Sequence, residues 1–347
     1  MNYGISVLFR LIPLLMALIC FFFGGYIFGY GNDEARWVAG PVVFSLGVLC
    51  LALYATAATI IRQLIHTYNP VVKYLLPCMG YLFALGTMIL GITLLNIEEP
   101  QNMFVPGHVI CGVALIAGCI STAATSSTKF TLIPGNSHGT SDKINPAGFS
   151  ATTEYTLIGI TVLFALVAWV WAIVLLFGAS ESDHLVAGSV MAGLACICTS
   201  LIGLVASISR QIRNDYGEKD RRNWPRLVFF MGTICIVGGI VELLATAAPV
   251  NTTGFILIGL GLVCFSISSK ILLLAKVWRQ ECKLANRIPL IPVMTALFAL
   301  FLGAFLFEEA SLDNAFFVPS RVLIGLGAIC FSLFSIVSIL ESGTSSK

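Results

Sequence analysis

The short string Val38-Ala39-Gly40 returns as Val105-Pro106-Gly107, as Val186-Ala187-Gly188 and, with Ser for Gly, as Val318-Pro319-Ser320, each time at the head of a long apolar run. Counting from each valine, the ninth residue onward is small (Gly47, Ala114, Ala195, Gly327) and the twelfth is Cys50, Ala117, Cys198 or Cys330. A weaker fifth copy starts at Thr252, with Gly254, Gly261 and Cys264 at matching offsets. The starts at 38, 105, 186, 252 and 318 give a unit of about 66 residues, with extra residues between the second and third copies. So regular a period predicts a repeat architecture before any other motif is considered.

Each unit holds two apolar stretches of about 20 residues, the length a helix needs to cross some 30 Å of hydrocarbon. With 58% hydrophobic and only 10% charged residues, the chain is far more apolar than a soluble domain. Strands are the poor alternative, because the runs lack the alternation of barrel strands. The sequence therefore predicts an all-α membrane protein in a single domain, 1–347, with ten transmembrane helices. They form five tandem two-helix repeats at 8–62, 74–128, 156–209, 227–277 and 289–340, with an insertion at 129–154. Two crossings per unit make every copy enter from the same side, a parallel rather than an inverted repeat. A pseudo-fivefold ring is the favoured arrangement, since closure leaves no unmatched terminal repeat; an open row is the alternative.

Charge placement gives an orientation. All but Arg36 and Arg321 of the 19 basic residues fall on the side holding both termini, which predicts cytoplasmic termini. The basic loops are read as contacts to anionic lipid headgroups, not to nucleic acid. The segment 210–226, with six basic and three acidic residues, is expected at the headgroups. Of the 11 cysteines, ten lie in expected spans and Cys282 in a loop on the terminal side, so they are expected as reduced thiols.

In the second helix of each unit, Gly, Ser and Cys recur, as in Gly254, Gly259, Gly261, Cys264 and Ser266. Small residues let backbones approach closely where lipid removes the hydrophobic drive to associate. These five helices are expected inside, with the Phe- and Leu-rich first helices outside. A pore lined by Ser, Thr and Cys is the functional alternative to simple packing. Convergence of Cys50, Cys198, Cys264 and Cys330 on a metal is disfavoured by zinc bond lengths near 2.3 Å, and no cofactor is expected.

Ionisable residues at membrane depth are costly and each needs an account. Lys270 and Glu242 differ by about 16 Å in expected depth and cannot pair; Lys270 is expected to snorkel to the surface. Three residues past each unit start stand Pro41, His108, Ser189, Phe255 and Arg321. Glu242 should approach the depth of Arg321, so a Glu242–Arg321 pair is the leading candidate, as a clamp or as a binding site. His108 and His184 are candidates for sensing external acidity, and the loop pairs Glu98–Glu99 and Glu308–Glu309 are read as solvation groups.

The string Leu284-Ala285-Asn286-Arg287-Ile288-Pro289, the stretch Val318-Pro319-Ser320-Arg321-Val322 continuing to Phe334-Ser335-Ile336-Val337-Ser338-Ile339-Leu340-Glu341, and Phe104-Val105-Pro106-Gly107-His108-Val109 resemble the YhiM-like family of enterobacterial inner-membrane proteins. That resemblance implies a bacterial inner-membrane location and an all-helical polytopic fold, and supplies no catalytic residues. With no P-loop, nucleophile elbow or HExxH present, an enzyme is not expected. A channel or transporter for a small solute or ion is the first functional reading. A non-transporting lipid-binding, stress-support or scaffold component is the second.

Overall fold

The computed structural model describes residues 3–30, 35–64, 70–97, 103–128, 149–178, 182–213, 215–245, 250–278 and 287–344. Most of the insertion, the Glu98–Glu99 pair and Cys282 lie outside them. Ten helices account for nearly all described residues: α1 (Tyr3–Tyr30), α2 (Arg36–Leu64), α3 (Pro70–Leu95), α4 (Phe104–Ser127), α5 (Ala151–Phe177), α6 (Ser182–Ile212), α7 (Glu218–Ala245), α8 (Val250–Trp278), α9 (Leu290–Glu309) and α10 (Phe317–Thr344). All ten are long and apolar enough to cross a membrane, where a helix satisfies every backbone group within its own segment. Local chemistry sets the ends. Ser150 accepts from the Thr153 amide at 3.1 Å to start α5, and Asp313 caps the turn before α10 through the Ala315 amide at 2.9 Å. Pro106 and Pro319 lie in the first turns of α4 and α10, where a missing amide costs nothing.

The helices divide into two layers. In the even-numbered helices 67 to 89% of the central span is buried, against 22 to 33% in the odd-numbered ones. Each odd helix packs on the even helix that follows it and also on the even helix of the preceding hairpin, so that it fills the groove between them. The inner helices run in a cycle: α2 against α4, α4 against α6, α6 against α8, α8 against α10, and α10 back against α2. Exposed Phe22, Phe298, Phe301 and Phe305 lie on the outer layer, as expected for side chains meeting lipid.

The contacts between successive inner helices share one register. A Cβ placed on Gly112 would stand 2.6 Å from Leu194, one on Gly193 2.5 Å from Leu260, one on Gly259 2.7 Å from Leu326 and one on Gly325 2.6 Å from Leu46. Each glycine sits seven residues past its unit start and each leucine eight past the next, so a bulky side chain of one helix docks against bare backbone of its neighbour. A second set fixes the hairpins. Gly24, Gly91, Gly239 and Gly303 of the outer helices face the carbonyls of Gly40, Gly107, Gly254 and Ser320, and fully buried Ala172 continues the series in α5. Backbones thus approach closely along both types of seam, which is how helices gain packing energy in an apolar solvent.

The hydroxyl and thiol stripe proves to be seam material rather than pore lining. Tyr81 of α3 meets Thr122 of α4 at 2.8 Å, the Trp169 indole of α5 donates to Thr199 of α6 at 3.0 Å, and Thr295 of α9 meets Ser266 of α8 at 2.6 Å. Ser335 of α10 donates to the Phe9 carbonyl of α1. Cys235 of α7 approaches both Cys196 and Cys264, and Cys50 approaches Cys20. All ten described cysteines are free thiols. Small groups are required where helices come closest, so they point into the seams and leave the wider central space to branched aliphatic residues.

Candidate functional site: the central axis and the two membrane faces

The inner helices enclose a narrow cavity of about 30 Å³ on the axis of their cycle. All five contribute to its walls, in successive layers. One layer holds Leu46, Leu194, Leu260 and Leu326, and the next Leu49, Ile116, Ile197, Val263 and Ile329. The third is Leu53, Ile120, Leu201, Ile267 and Leu333, and the fourth Thr56, Ala123, Leu204 and Lys270. The steps of three and four residues keep these side chains on one helix face. The Thr56 hydroxyl is engaged with the Ala52 carbonyl of its own helix at 3.1 Å, leaving the wall almost wholly aliphatic.

Lys270 departs from the surface position expected of it. It is 2% exposed and lines the axial cavity, because its helical offset turns it toward the axis and away from the lipid into which a snorkelling side chain would extend. Among the described residues no hydrogen bond or ion pair engages its ammonium group. Two turns beyond Leu204, on the same face of α6, Gln211 is fully buried with both amide atoms lacking a hydrogen-bond partner among the described residues.

On the side away from the termini, Glu242 and Arg321 are held on different seams. Because each outer helix lies against the preceding hairpin, Glu242 of α7 turns toward α6, where its neighbour is Ser189. Arg321 instead lies over the Phe307 ring of α9 at 4.3 Å and the Phe317 ring at 3.6 Å, and donates to the Phe317 carbonyl at 3.1 Å and the Ser320 hydroxyl at 2.9 Å. The cation–π contacts lower the cost of keeping the guanidinium at this depth. Although α8 and α10 are neighbours, the contacts described for Glu242 and for Arg321 do not join the two residues. His108 is largely buried, with Nδ1 2.8 Å from the Phe104 carbonyl. The Phe104 ring lies between the rings of His108 and His184, at 4.3 and 4.5 Å, while Trp171 of α5 closes the edge at 5.8 Å.

The terminal side carries an ion network that charge counting did not reveal. Helix α5 begins at Ala151, so Glu154 belongs to its first turn and not to the insertion. Its carboxylate is almost fully buried and receives Arg213 at 2.6 Å and Arg210 at 3.5 Å. Arg210 also reaches Asp220 at 2.6 Å, Arg213 reaches Asp215 at 2.7 Å, and the Trp224 indole donates to Asp220 at 3.2 Å. The hydrogen bond to Glu154 pushes Arg213 above its ordinary value. Arg210, Arg213 and Asp220 thus clasp α5, α6 and α7 together through Glu154. Glu154→Gln removes the charge that two arginines share. A drop of about 2 kcal/mol in unfolding free energy is expected, read as a lowered thermal midpoint in detergent.

The family described as "Protein of unknown function (DUF2776)" matches residues 1–345. The chain is 47% identical over 350 residues to "Inner membrane protein YhiM" of Escherichia coli (strain K12), covering 100% of both sequences. No solved structure matches it. With ten membrane-length helices and a match over essentially its whole length, the chain belongs to the DUF2776 family of inner-membrane proteins.

Proposed function

We propose that the chain is a channel or transporter of the inner membrane whose five inner helices surround a path for a small solute or ion, closed at its aliphatic layers. The observation that carries this reading is the axial cavity walled by all five inner helices, a position where a path would be shared equally by every hairpin. The reading includes five tandem copies of one hairpin arranged about a pseudo-fivefold axis. It is supported by the recurrence of the glycine-to-leucine register from one inner helix to the next. It also places both termini in the cytoplasm, supported by the basic bias of the loops on that side, with those loops against anionic headgroups. No catalytic role is assigned. The test is efflux from liposomes carrying the purified protein, with potassium, chloride and a small neutral solute followed in parallel. Release of at least one species about tenfold above protein-free vesicles is expected; release equal to the control for all three rejects transport.

A second reading, a non-transporting membrane component, is favoured by the near-complete aliphatic filling of the axis. It predicts no flux, together with lipid or a protein partner retained through purification.

A further inference from the structure

The one ionisable side chain in the described wall of the axial cavity belongs to Lys270. Packing does not require it: the same layer is completed by Thr56, Ala123 and Leu204, and the corresponding place in α10 is Ile336, fully buried. A neutral residue serves at each of these positions. A lysine held out of water at helix depth costs at least about 2.5 kcal/mol on insertion scales, and the described residues offer its ammonium no compensating acceptor. Lys270 stands at one end of the aliphatic wall of the cavity. The cavity lies on the axis, and its volume of about 30 Å³ suits a species the size of one or two water molecules. An oxyacid with a carbon skeleton or a phosphate ester exceeds that space.

We infer that Lys270 and the axial cavity form a site for a small monovalent anion of the halide type, which makes the path anion-selective. This deepens the transport reading and rests on it. In a column walled by aliphatic side chains a single positive charge is poorly screened. It attracts an anion and repels a cation along the same line, and rings or single sites of basic residues are a general means of selecting anions in pores. The aliphatic layers of Leu53, Leu201 and Leu333 on one side of Lys270 serve as the constriction that excludes water until it widens. Gln211, buried and two turns nearer the terminal side, offers amide hydrogens to an anion leaving Lys270 in that direction.

The test measures reversal potentials under a potassium chloride gradient in planar bilayers, for the native protein and for Leu201→Ser, which hydrates the constriction. Chloride is expected to permeate at least about tenfold better than potassium, and Lys270→Met in the same background to reduce that ratio by about tenfold or more. Lys270→Arg should retain it. Methionine is unbranched and apolar, so the variant suits its surroundings; an unchanged elution profile and thermal midpoint verify that it folds. Conduction with a chloride-to-potassium ratio that Lys270→Met leaves unchanged overturns the anion site while sparing the transport reading. Absence of any current in both the native protein and Leu201→Ser overturns both.

Discussion

Replacing Gly254 by alanine should prevent the α7–α8 hairpin from closing and leave little folded protein to recover. A Cβ on Gly239 would stand 2.5 Å from the Gly254 carbonyl oxygen, and a Cβ on Gly254 would in turn meet the Gly239 carbonyl. The obstacle in each case is backbone, which cannot rotate aside as a side-chain terminus does. The helices must separate along a seam that also seats Ile258 against Gly239 and Leu243 against Gly254. A cost of about 3 kcal/mol or more is expected, the upper part of the range for overpacking. It would appear as a large fall in the yield of monodisperse protein and in the thermal midpoint. Gly86→Ala supplies the comparison, because nothing lies within 4 Å of the added methyl group and alanine is the better helix former. Its stability should match the parent within about 1 kcal/mol. Equal behaviour of the two variants would show that the outer helices are not seated by these glycines.

The second large effect concerns the axis. Leu201→Ser places a hydroxyl in the layer otherwise made of Leu53, Ile120, Ile267 and Leu333 and shortens the side chain by two heavy atoms. A purely aliphatic constriction excludes ions because it excludes their water, so one polar group on the wall lowers the barrier sharply. Ion leak through liposomes should rise by about 100-fold, equivalent to some 2.7 kcal/mol of barrier. Leu82→Ser, at an exposed position on the outer helix α3, should leave leak unchanged. If both serines act alike, the increase reflects loosened packing and the axis is not the route.

Much of this architecture can be read from the string of residues. Apolar length gives ten helices, and the small residues at fixed offsets separate the inner helices from the outer. The direction in which that small face points is not legible. Periodicity establishes that Cys264, Ser266 and Gly261 share a helix surface, but only the neighbouring helices determine whether that surface meets a seam or an axis. The same gap applies to Lys270. Its depth follows from counting residues, whereas its azimuth depends on the cycle formed with α6 and α10. For Glu242 and Arg321 the sequence again offers depth alone, while the direction each side chain takes depends on the helices packed beside it. Glu154 escaped notice because its partners Arg210 and Arg213 lie far along the chain, and a carboxylate beside a long polar segment looks like part of that segment. A signal was present nonetheless: Ser150 followed by Glu154 just before an apolar run marks a helix start with an acidic first turn.

Because α10 completes the cycle by packing on α2, the closing interface joins helices that lie far apart along the polypeptide. During synthesis, the surface around Leu46 enters the bilayer long before Gly325 has been translated, and it must wait there facing lipid or a chaperone. Four finished hairpins would form an arc with two adhesive flanks, able to recruit a hairpin from another nascent chain in place of their own. The α9–α10 hairpin therefore acts as the closing piece, and truncations before α9 should yield intermolecular aggregates instead of smaller rings.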